Sequence, residues 1–232
     1  MDKIIVIGGR GSGLLIGEQI YDAQMRGANV EFLGFAFDDP TFGPEINGFP
    51  LLCGSREAYS KYEQYDDIKF IFQMWRSDAI EERVAWVERL GIPEERYATF
   101  VHPLATVVRS ARLGHGTVVL SGSVVNSNAV IGRHVTIQSG ALIGHDTTVG
   151  DYSFITAHCA IGSSSKIGSG CFIGLQTATN NYLTIGDFAY IGMGSNVIKS
   201  VPDRAMVYGN PARQVERKIN MYERAHKDTE QR

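Results

Sequence analysis

The 232-residue chain lacks several features that would place it in a large class of proteins. It has only three cysteines, Cys53, Cys159 and Cys171, which excludes a framework of several disulfides and favours a reducing compartment. No apolar run reaches the roughly 18 residues of a membrane span, and no secretory leader is recognisable before the first predicted strand. We therefore expect a cytoplasmic protein.

The chain also lacks an excess of positive charge. Its 22 Lys and Arg residues are balanced by 25 Asp and Glu residues, which gives a net charge of −3. Nucleic acids and anionic membranes attract proteins with basic surfaces, so neither is an expected partner. We expect small ligands. The hydrophobic content of 44% is sufficient for the cores of one or two domains.

A six-residue repeat occupies the chain from Val101 to Pro202. A small residue comes four positions after most of the repeated aliphatics, and Gly often follows the aliphatic directly. This period fits neither an α-helix nor an alternating strand, and it is typical of a β-helix built from short strands and tight turns. We expect the glycines to accept turn angles that a Cβ disfavours. Only Thr179 interrupts the aliphatic series, which is Val101, Val107, Leu113, Val119, Val125, Ile131, Ile137, Ile143, Val149, Ile155, Ile161, Ile167, Ile173, Ile185, Ile191 and Val197.

Three such repeats make one triangular coil, so residues eighteen apart stack at the strand spacing of about 4.8 Å. The repeats then give about six coils and a prism roughly 27 Å tall. Cys159 and Cys171 fall in the small-residue register, where we predict that they act as compact apolar fillers.

The first 98 residues show a different pattern, in which strands alternate with helices. This alternation indicates a small parallel sheet of Rossmann type over residues 1–98. The β-helix then occupies residues 99–202, and residues 203–232 form a C-terminal extension. Within that extension the sequence ERKINMYERAHKD predicts a short helix.

The N-terminal region contains two candidate ligand-binding features. A Gly-rich turn between the first strand and the first helix favours an anion such as phosphate at the helix N-terminus. The fingerprint G-x-G-x-x-G is absent in every frame, so a tight turn without a ligand is the alternative. Asp38 and Asp39 follow the second strand, where open α/β sheets bind ligands, and they either bind a base or ribose or only form a turn. The turn residues are Gly9, Arg10, Gly11 and Ser12.

Four histidines lie at or near predicted turns of the β-helix: His115, His134, His145 and His158. A zinc site needs three protein ligands, and only His115 and His134 approach each other within one chain, so a metal site would require a second subunit. His145 is followed by Asp146, and a carboxylate beside an imidazole fixes its tautomer. This pair is either a general base or a solvated turn.

The repeats, together with QSGALIGHDTTVGDYSF, IGMGSNVIKSV and GNPAR, resemble the left-handed β-helix acyltransferases. More narrowly, they resemble bacterial nucleotide-sugar N-acetyltransferases, a group that includes bacillosamine-pathway and perosamine enzymes and also sialic acid O-acetyltransferases. The resemblance covers almost the whole chain. It implies a left-handed β-helix, acetyl-CoA as co-substrate, no required metal, and a homotrimer with active sites between subunits.

The resemblance also implies roles for individual residues. His145 matches the catalytic base of the family, and Asp146 matches its partner. The residues implied to contact the nucleotide sugar are Gly9, Arg10, Gly11, Ser12, Asp38, Asp39, Gln138 and Phe154. Those implied to contact coenzyme A are Ser163, Gly192, Met193, Gly194 and Arg213. The chain departs from the family pattern at Ser12 and Phe154, which replace histidines, at Gln138, which replaces Asn, and at Met193, which replaces Gly or Ala.

We therefore expect an acetyl-CoA-dependent N-acetyltransferase that acts on a nucleotide-linked amino sugar in the synthesis of a surface glycan such as O-antigen. One alternative is an O-acetyltransferase that acts on sialic acid or another glycan hydroxyl. A second alternative is a trimeric β-helix that is non-catalytic or binds a metal.

Overall fold

The computed structural model describes residues 1–39 and 41–216. The short helix predicted for the C-terminal extension lies outside these residues. None of the described helices is long and apolar enough to cross a membrane.

The N-terminal region forms a five-stranded sheet in the order β3-β4-β2-β1-β5. All pairs of neighbours are parallel except β3 and β4. The strands are β1 (Asp2–Ile7), β2 (Val30–Ala36), β3 (Glu45–Ile46), β4 (Phe49–Cys53) and β5 (Ile68–Phe72). The helices are α1 (Ser12–Met25), α2 (Ala58–Tyr62) and α3 (Ile80–Arg89), followed by a 3-10 turn at Glu94–Arg96. The predicted small α/β region is confirmed.

Strand β1 is apolar on both faces because helices cover both sides of the sheet. Ile4 and Val6 belong to a cluster that includes Ile16 of α1. Ile5 and Ile7 point to the other side, where they share a cluster with Val87 of α3. The continuous apolar run KIIVI is therefore the central strand of the sheet.

The repeats form a parallel β-helix with three sheets. Sheet 1 contains Phe100–Val101, Val118–Val119, Thr136–Ile137, Phe154–Ile155, Phe172–Ile173, Tyr190–Ile191 and Met206–Tyr208, numbered β6, β9, β12, β15, β18, β21 and β23. Sheet 2 contains Thr106–Val107, Val124–Val125, Leu142–Ile143, Ala160–Ile161, Ala178–Thr179 and Asn196–Val197, numbered β7, β10, β13, β16, β19 and β22. Sheet 3 contains Arg112–Leu113, Val130–Ile131, Thr148–Val149, Lys166–Ile167 and Thr184–Ile185, numbered β8, β11, β14, β17 and β20.

Partners within each sheet are eighteen residues apart through most of the repeats, as when Leu142 pairs with Ala160. The aliphatic series fills the interior, together with Cys159 and Cys171, which are buried and unpaired. Sheet 1 extends past the predicted boundary at Pro202, because β23 pairs with β21. A last strand, β24 (Arg213–Val215), then pairs antiparallel with β23.

Three corners join the sheets: corner 1 leads from sheet 1 to sheet 2, corner 2 from sheet 2 to sheet 3, and corner 3 from sheet 3 back to sheet 1.

The prediction about turn glycines was wrong for the glycines that directly follow the aliphatics. Gly144 and Gly132 do not have positive φ. A Cβ on Gly144 would lie 2.5 Å from the backbone N of Ser163 in the next coil, so close approach of the coils requires glycine there. The left-handed residue comes later in the turn, as at Gly140 and Asp146.

The N-terminal region packs on sheet 1. Val118 and Leu120 of the β-helix share an apolar cluster with Ile4 and Val6 of the N-terminal sheet. A buried hydrogen bond of 2.9 Å also joins the side chains of Gln73 and Thr136. Sheet 1 is therefore the face that forms the junction with the N-terminal region.

Candidate functional site

A cleft of about 810 Å³ lies between the carboxyl edge of the N-terminal sheet and sheet 1 of the β-helix. The residues after β1, β2 and β5 all reach it, because parallel strands end at the same edge. Seven of the eight residues predicted to contact the nucleotide sugar line it: Gly9, Arg10, Gly11, Ser12, Asp38, Gln138 and Phe154. The structure thus brings together residues from distant parts of the sequence.

The Gly-rich turn forms one wall of the cleft and leads into α1, which begins at Ser12. Gly11 precedes the helix with φ of 53°, and nothing lies within 4 Å of where its Cβ would stand. Gly9 is packed tightly, since its Cβ would lie 2.6 Å from Ile46 Cδ1. The backbone of the turn is therefore fixed from behind and open towards the cleft, beside the N-H groups of the first helical turn.

Asp38 and Asp39 differ in position. Asp38 lines the cleft, and its carboxylate accepts hydrogen bonds from the backbone N and hydroxyl of Ser55. Asp39 does not line the cleft, because its carboxylate faces Thr41 and Arg10. Hydrogen bonds from Thr41, and then the charge of Arg10, lower the pKa of Asp39. Asp39 therefore holds Arg10 in place rather than facing a cleft ligand directly.

The wall that leads from the end of β5 into α3 was missed by the sequence analysis. It consists of Gln73, Met74, Trp75, Arg76, Ser77, Ile80, Arg83 and Trp86, which follow β5 or lie on α3. The signal was present, since these residues follow a parallel strand just as Asp38 does. Trp75 and Trp86 belong to no catalytic pattern in the sequence, so no role in the site was predicted for them.

The β-helix closes the cleft with a largely aromatic surface. Phe154 is 8% exposed and stacks on Phe172 with ring centroids 5.9 Å apart. Tyr152 packs edge-on against Trp75 at 5.9 Å. Gln138 lies beside them at corner 1. The cleft therefore offers stacking surfaces with a small number of polar groups, as small-molecule sites do.

His145 and Asp146 form a hydrogen-bonded pair at corner 2. The imidazole Nδ1 lies 2.6 Å from Asp146 Oδ2, and the His145 side chain is 59% exposed. Asn128 Nδ2 donates to the other carboxylate oxygen at 2.9 Å. Hydrogen bonds from Asn128 and His145 lower the pKa of Asp146, so the carboxylate stays ionised and holds the Nδ1-H tautomer. This arrangement directs the basic Nε2 towards solvent or a ligand.

The pair does not line the cleft of its own chain. Corner 2 joins sheets 2 and 3, whereas the cleft lies against sheet 1, on the other side of the prism. The predicted base and the predicted sugar-binding residues are therefore separated within one chain.

The residues predicted to contact coenzyme A lie in three places. Ser163 stands one coil above His145 at corner 2, where Ser164 N donates to His145 O at 2.8 Å. Gly192, Met193 and Gly194 lie at corner 1, where Met193 is 70% exposed. Gly194 has no heavy atom within 4 Å of where its Cβ would stand, so the backbone is open there. Arg213 lies on the exposed strand β24.

The histidines at the other corners do not assemble a metal site. Among residues 1–39 and 41–216, no group of three or more His, Cys, Asp or Glu side chains is arranged to hold a metal ion. His134 N donates to His115 O at 2.8 Å, as their spacing predicts. His134 is buried between rings of the N-terminal region and the β-helix, whereas His158 is exposed at corner 1.

The model of the bacterial transferase hexapeptide (six repeats) family matches residues 110–145 and 128–163. The two matches together span residues 110–163, which lie within the predicted six-residue repeats. A comparison with curated protein sequences gave no match.

Several solved structures share this fold. The acetyltransferase domain of PglB from Neisseria gonorrhoeae FA1090, in complex with acetyl coenzyme A, is 24% identical over 92% of this chain and 98% of that domain, with a TM-score of 0.77. A histidine-to-alanine variant of GDP-perosamine N-acetyl transferase from Caulobacter crescentus, in complex with CoA and GDP-perosamine, is 21% identical over 93% and 98%, with a TM-score of 0.77. WeeI from Acinetobacter baumannii AYE is 23% identical over 93% and 100%, with a TM-score of 0.62. These likenesses confirm the predicted left-handed β-helix with its small N-terminal α/β region.

Proposed function

We propose that the protein is an acetyl-CoA-dependent N-acetyltransferase that acts on the amino group of a nucleotide-linked amino sugar. Two of the similar structures, the PglB domain and the GDP-perosamine N-acetyl transferase variant, contain acetyl coenzyme A and CoA with GDP-perosamine, respectively. The aromatic cleft beside a helix N-terminus suits a nucleotide sugar. Synthesis of a surface glycan in the cytoplasm is the process in which we place this activity.

The observation that carries this proposal is the exposed pair of His145 and Asp146. When bound, acetyl-CoA supplies the acetyl group as a reactive thioester. His145 Nε2 takes up the proton that the amine nitrogen loses as the N-C bond forms and the C-S bond breaks. The imidazolium then returns this proton to the departing thiolate sulfur. A backbone N-H at a corner stabilises the negative charge that develops on the carbonyl oxygen.

The active site is shared between subunits of a homotrimer in this proposal. Separation of His145 from the cleft within one chain supports it, because the base of one subunit then acts on a substrate held by its neighbour. Sheet 2 supports it as well, since its outward residues carry no charge and suit a buried interface. These residues are Thr106, Val124, Leu142, Ala160, Ala178 and Asn196.

Coenzyme A binds at corners 1 and 2 in this arrangement. Ser163 contacts it one coil from His145. Gly194 contacts it through open corner backbone, and Gly192 and Met193 contact it beside Gly194. Arg213 provides positive charge for the phosphates. Residues 1–98 hold the nucleotide, and residues 99–202 carry the acetyl transfer.

A thiol-release assay tests the proposal. The wild-type protein is incubated with acetyl-CoA and with UDP-, dTDP- or GDP-linked amino sugars, and free thiol is measured. We expect thiol release with at least one amino sugar and none with the matching hydroxyl sugar. Release with sialic acid and with no amino sugar would instead identify an O-acetyltransferase. If none of the acceptors gives thiol release and the protein binds no acetyl-CoA, an acetyltransferase function is rejected.

A further inference from the structure

Three arginines line the cleft, and they differ in their charge partners. Arg10 forms an ion pair with Asp39. Arg76 donates two hydrogen bonds to Asp78, at 3.1 and 2.7 Å. Arg83 forms no ion pair with any residue in the described part of the chain. The cleft therefore contains a guanidinium that has no carboxylate of the described residues within ion-pair distance, although the charges of Glu82 and Asp78 act on it from further away.

The surroundings of Arg83 are those of a binding group rather than of a solvated surface arginine. Its Nε is buried and has no hydrogen-bond partner in residues 1–39 and 41–216. Its guanidinium carbon lies 4.8 Å from the ring centroid of Trp86, which holds the side chain against the wall. Burial lowers the pKa of Arg83. A buried charged donor without an acceptor is costly, and an oxyanion would satisfy it with two parallel hydrogen bonds.

Two other residues of the same wall also have an unused polar atom. Gln73 is 2% exposed, and its Nε2 donates to Thr136 while its Oε1 has no partner in the described structure. Trp75 Nε1 is likewise buried without an acceptor. Buried polar atoms in folded proteins are nearly always paired, so unpaired ones gathered on the wall of a cleft indicate a polar ligand.

We propose that Arg83 is the oxyanion-binding residue of the cleft and that the oxyanion belongs to the acceptor substrate. The planar fork of a guanidinium fits a phosphate or a carboxylate equally well in geometry. The oxyanion is thus either the diphosphate of a nucleotide sugar, which rests on the proposed function, or the carboxylate of a free acidic sugar. Under the proposed function coenzyme A binds elsewhere, because the residues proposed to contact it do not line this cleft.

Calorimetric titration of the wild-type protein and of Arg83→Gln tests this assignment. The probes are UDP, GDP, N-acetylneuraminic acid and CoA. Arg89→Gln is the matched control, because Arg89 lies on the same helix but outside this cleft. We expect Arg83→Gln to weaken binding of a nucleoside diphosphate about 10- to 100-fold, the range for loss of a charged hydrogen bond. CoA binding should not change, and Arg89→Gln should resemble the wild type.

Each outcome bears on the assignment. If only N-acetylneuraminic acid binds and Arg83→Gln weakens it, Arg83 is the oxyanion residue and the substrate class under the proposed function is wrong. If Arg83→Gln keeps wild-type affinity for a nucleoside diphosphate, the assignment is wrong while the proposed function stands. If the wild type binds neither class, both are wrong. Should Arg83→Gln fail to fold, Arg83→Lys keeps the charge but not the fork, and we expect an intermediate loss of affinity.

Discussion

His145 lies at corner 2 of the β-helix, and Phe154, nine residues later, lies on sheet 1, which is the face opposite that corner. Phe154 lines the cleft and His145 does not. A substrate that stacks on Phe154 is therefore out of reach of His145 in the same chain. This separation makes assembly of subunits a requirement of the proposed chemistry.

Trimers that contain two different inactive variants test whether each active site needs two subunits. We expect His145→Ala protein to be inactive, and a cleft variant such as Phe154→Arg to be inactive as well, because it places a charge among stacked rings. Co-expression of the two variants should restore part of the activity, since one subunit then supplies an intact cleft and its neighbour an intact His145. Thiol release by the co-purified mixture is the measurement. Failure of the mixture to exceed either variant alone would contradict the shared site.

A substitution that introduces a charge on sheet 2 tests whether this sheet forms the interface between subunits. Leu142 is 41% exposed on the outward side of this uncharged sheet, so Leu142→Arg should prevent trimer formation by burying an unpaired charge. Val130→Arg is the control, because Val130 is similarly exposed but lies on sheet 3, which already carries Arg112 and Lys166. Light scattering gives the mass of each variant. A trimeric Leu142→Arg would place the interface elsewhere.

The β-helix could be predicted in detail because its period repeats the same requirement in every coil. Each aliphatic fills one narrow interior, so the register of Ile143 with Ile161 follows from the sequence alone. The role of glycine was less predictable. Gly144 is required by the approach of the next coil and not by its own φ, and contacts between coils are not visible in a linear pattern.

The candidate site was predictable only where a residue type signals chemistry. His145 with Asp146 was found because an imidazole beside a carboxylate is a recognisable base. Arg83 and Trp86 lie on an amphipathic helix, where the sequence gives no sign that one face borders a cleft. Asp39 was expected at the ligand and instead pairs with Arg10, because two adjacent aspartates cannot both point the same way after a strand.

Removal of the carboxylate of Asp39 should weaken binding of the sugar nucleotide alone. Asp39→Ala frees Arg10 from its partner beside the Gly-rich turn, so KM for the sugar nucleotide should rise about tenfold or more. KM for acetyl-CoA should change little, because its proposed contacts lie in the β-helix. Asp38→Ala should act in the same direction through loss of the contacts with Ser55.

Asp67→Ala is a suitable control for these variants. Asp67 also forms an exposed ion pair in the N-terminal region, with Lys3, but it lies at the opposite edge of the sheet, before β5. Its loss should leave both KM values unchanged. Equal increases of both KM values in Asp39→Ala would contradict the proposed division between nucleotide binding and acetyl transfer.

Replacement of His145 should reduce turnover without loss of structure. Removal of a general base costs about 100- to 10,000-fold, and we expect His145→Ala to fall within or beyond this range. Asp146→Asn should cost less, because it disturbs the tautomer and leaves the base present.

The exposed His158 at corner 1 is the matched control for His145. His158→Ala should keep near wild-type turnover, and both variants should keep the trimer and acetyl-CoA affinity, since neither side chain fills the aliphatic interior. Steady-state kinetics across pH, with calorimetry for acetyl-CoA, gives these values. Wild-type turnover of His145→Ala at every pH, with a loss in His158→Ala, would transfer the role of base to His158.

Acid should weaken the junction between the N-terminal region and the β-helix through His134. This side chain is 2% exposed, stacks on Tyr152 at 5.2 Å, and meets Tyr97 edge-on at 4.4 Å. Burial, and then the charge of Arg133, lowers the pKa of His134 from 6.5 to about 4. The ring is therefore neutral in the folded protein at pH values where it is protonated in the unfolded chain.

The direction in which pH changes the free energy of unfolding follows from the number of protons that the folded and the unfolded chain bind. Between about pH 6.5 and pH 4 the unfolded chain binds more protons at this residue, so the free energy of unfolding falls as the pH falls through this window. The contribution of His134 to the free energy of unfolding is present above pH 6.5, and about 2 kcal/mol of it is lost between pH 7 and pH 5.

Urea unfolding at these two pH values, at one protein concentration, measures the loss in wild type and in His134→Asn. Asparagine tolerates the φ of 53° at this position, and His158→Asn is the matched control at φ of 58°. We expect His134→Asn to be less stable than the wild type at pH 7, because it loses ring contacts, but to lose less stability on acidification, whereas His158→Asn should follow the wild type. Equal losses in all three proteins would assign the acid sensitivity to carboxylates elsewhere and not to the ring buried between Tyr97 and Tyr152.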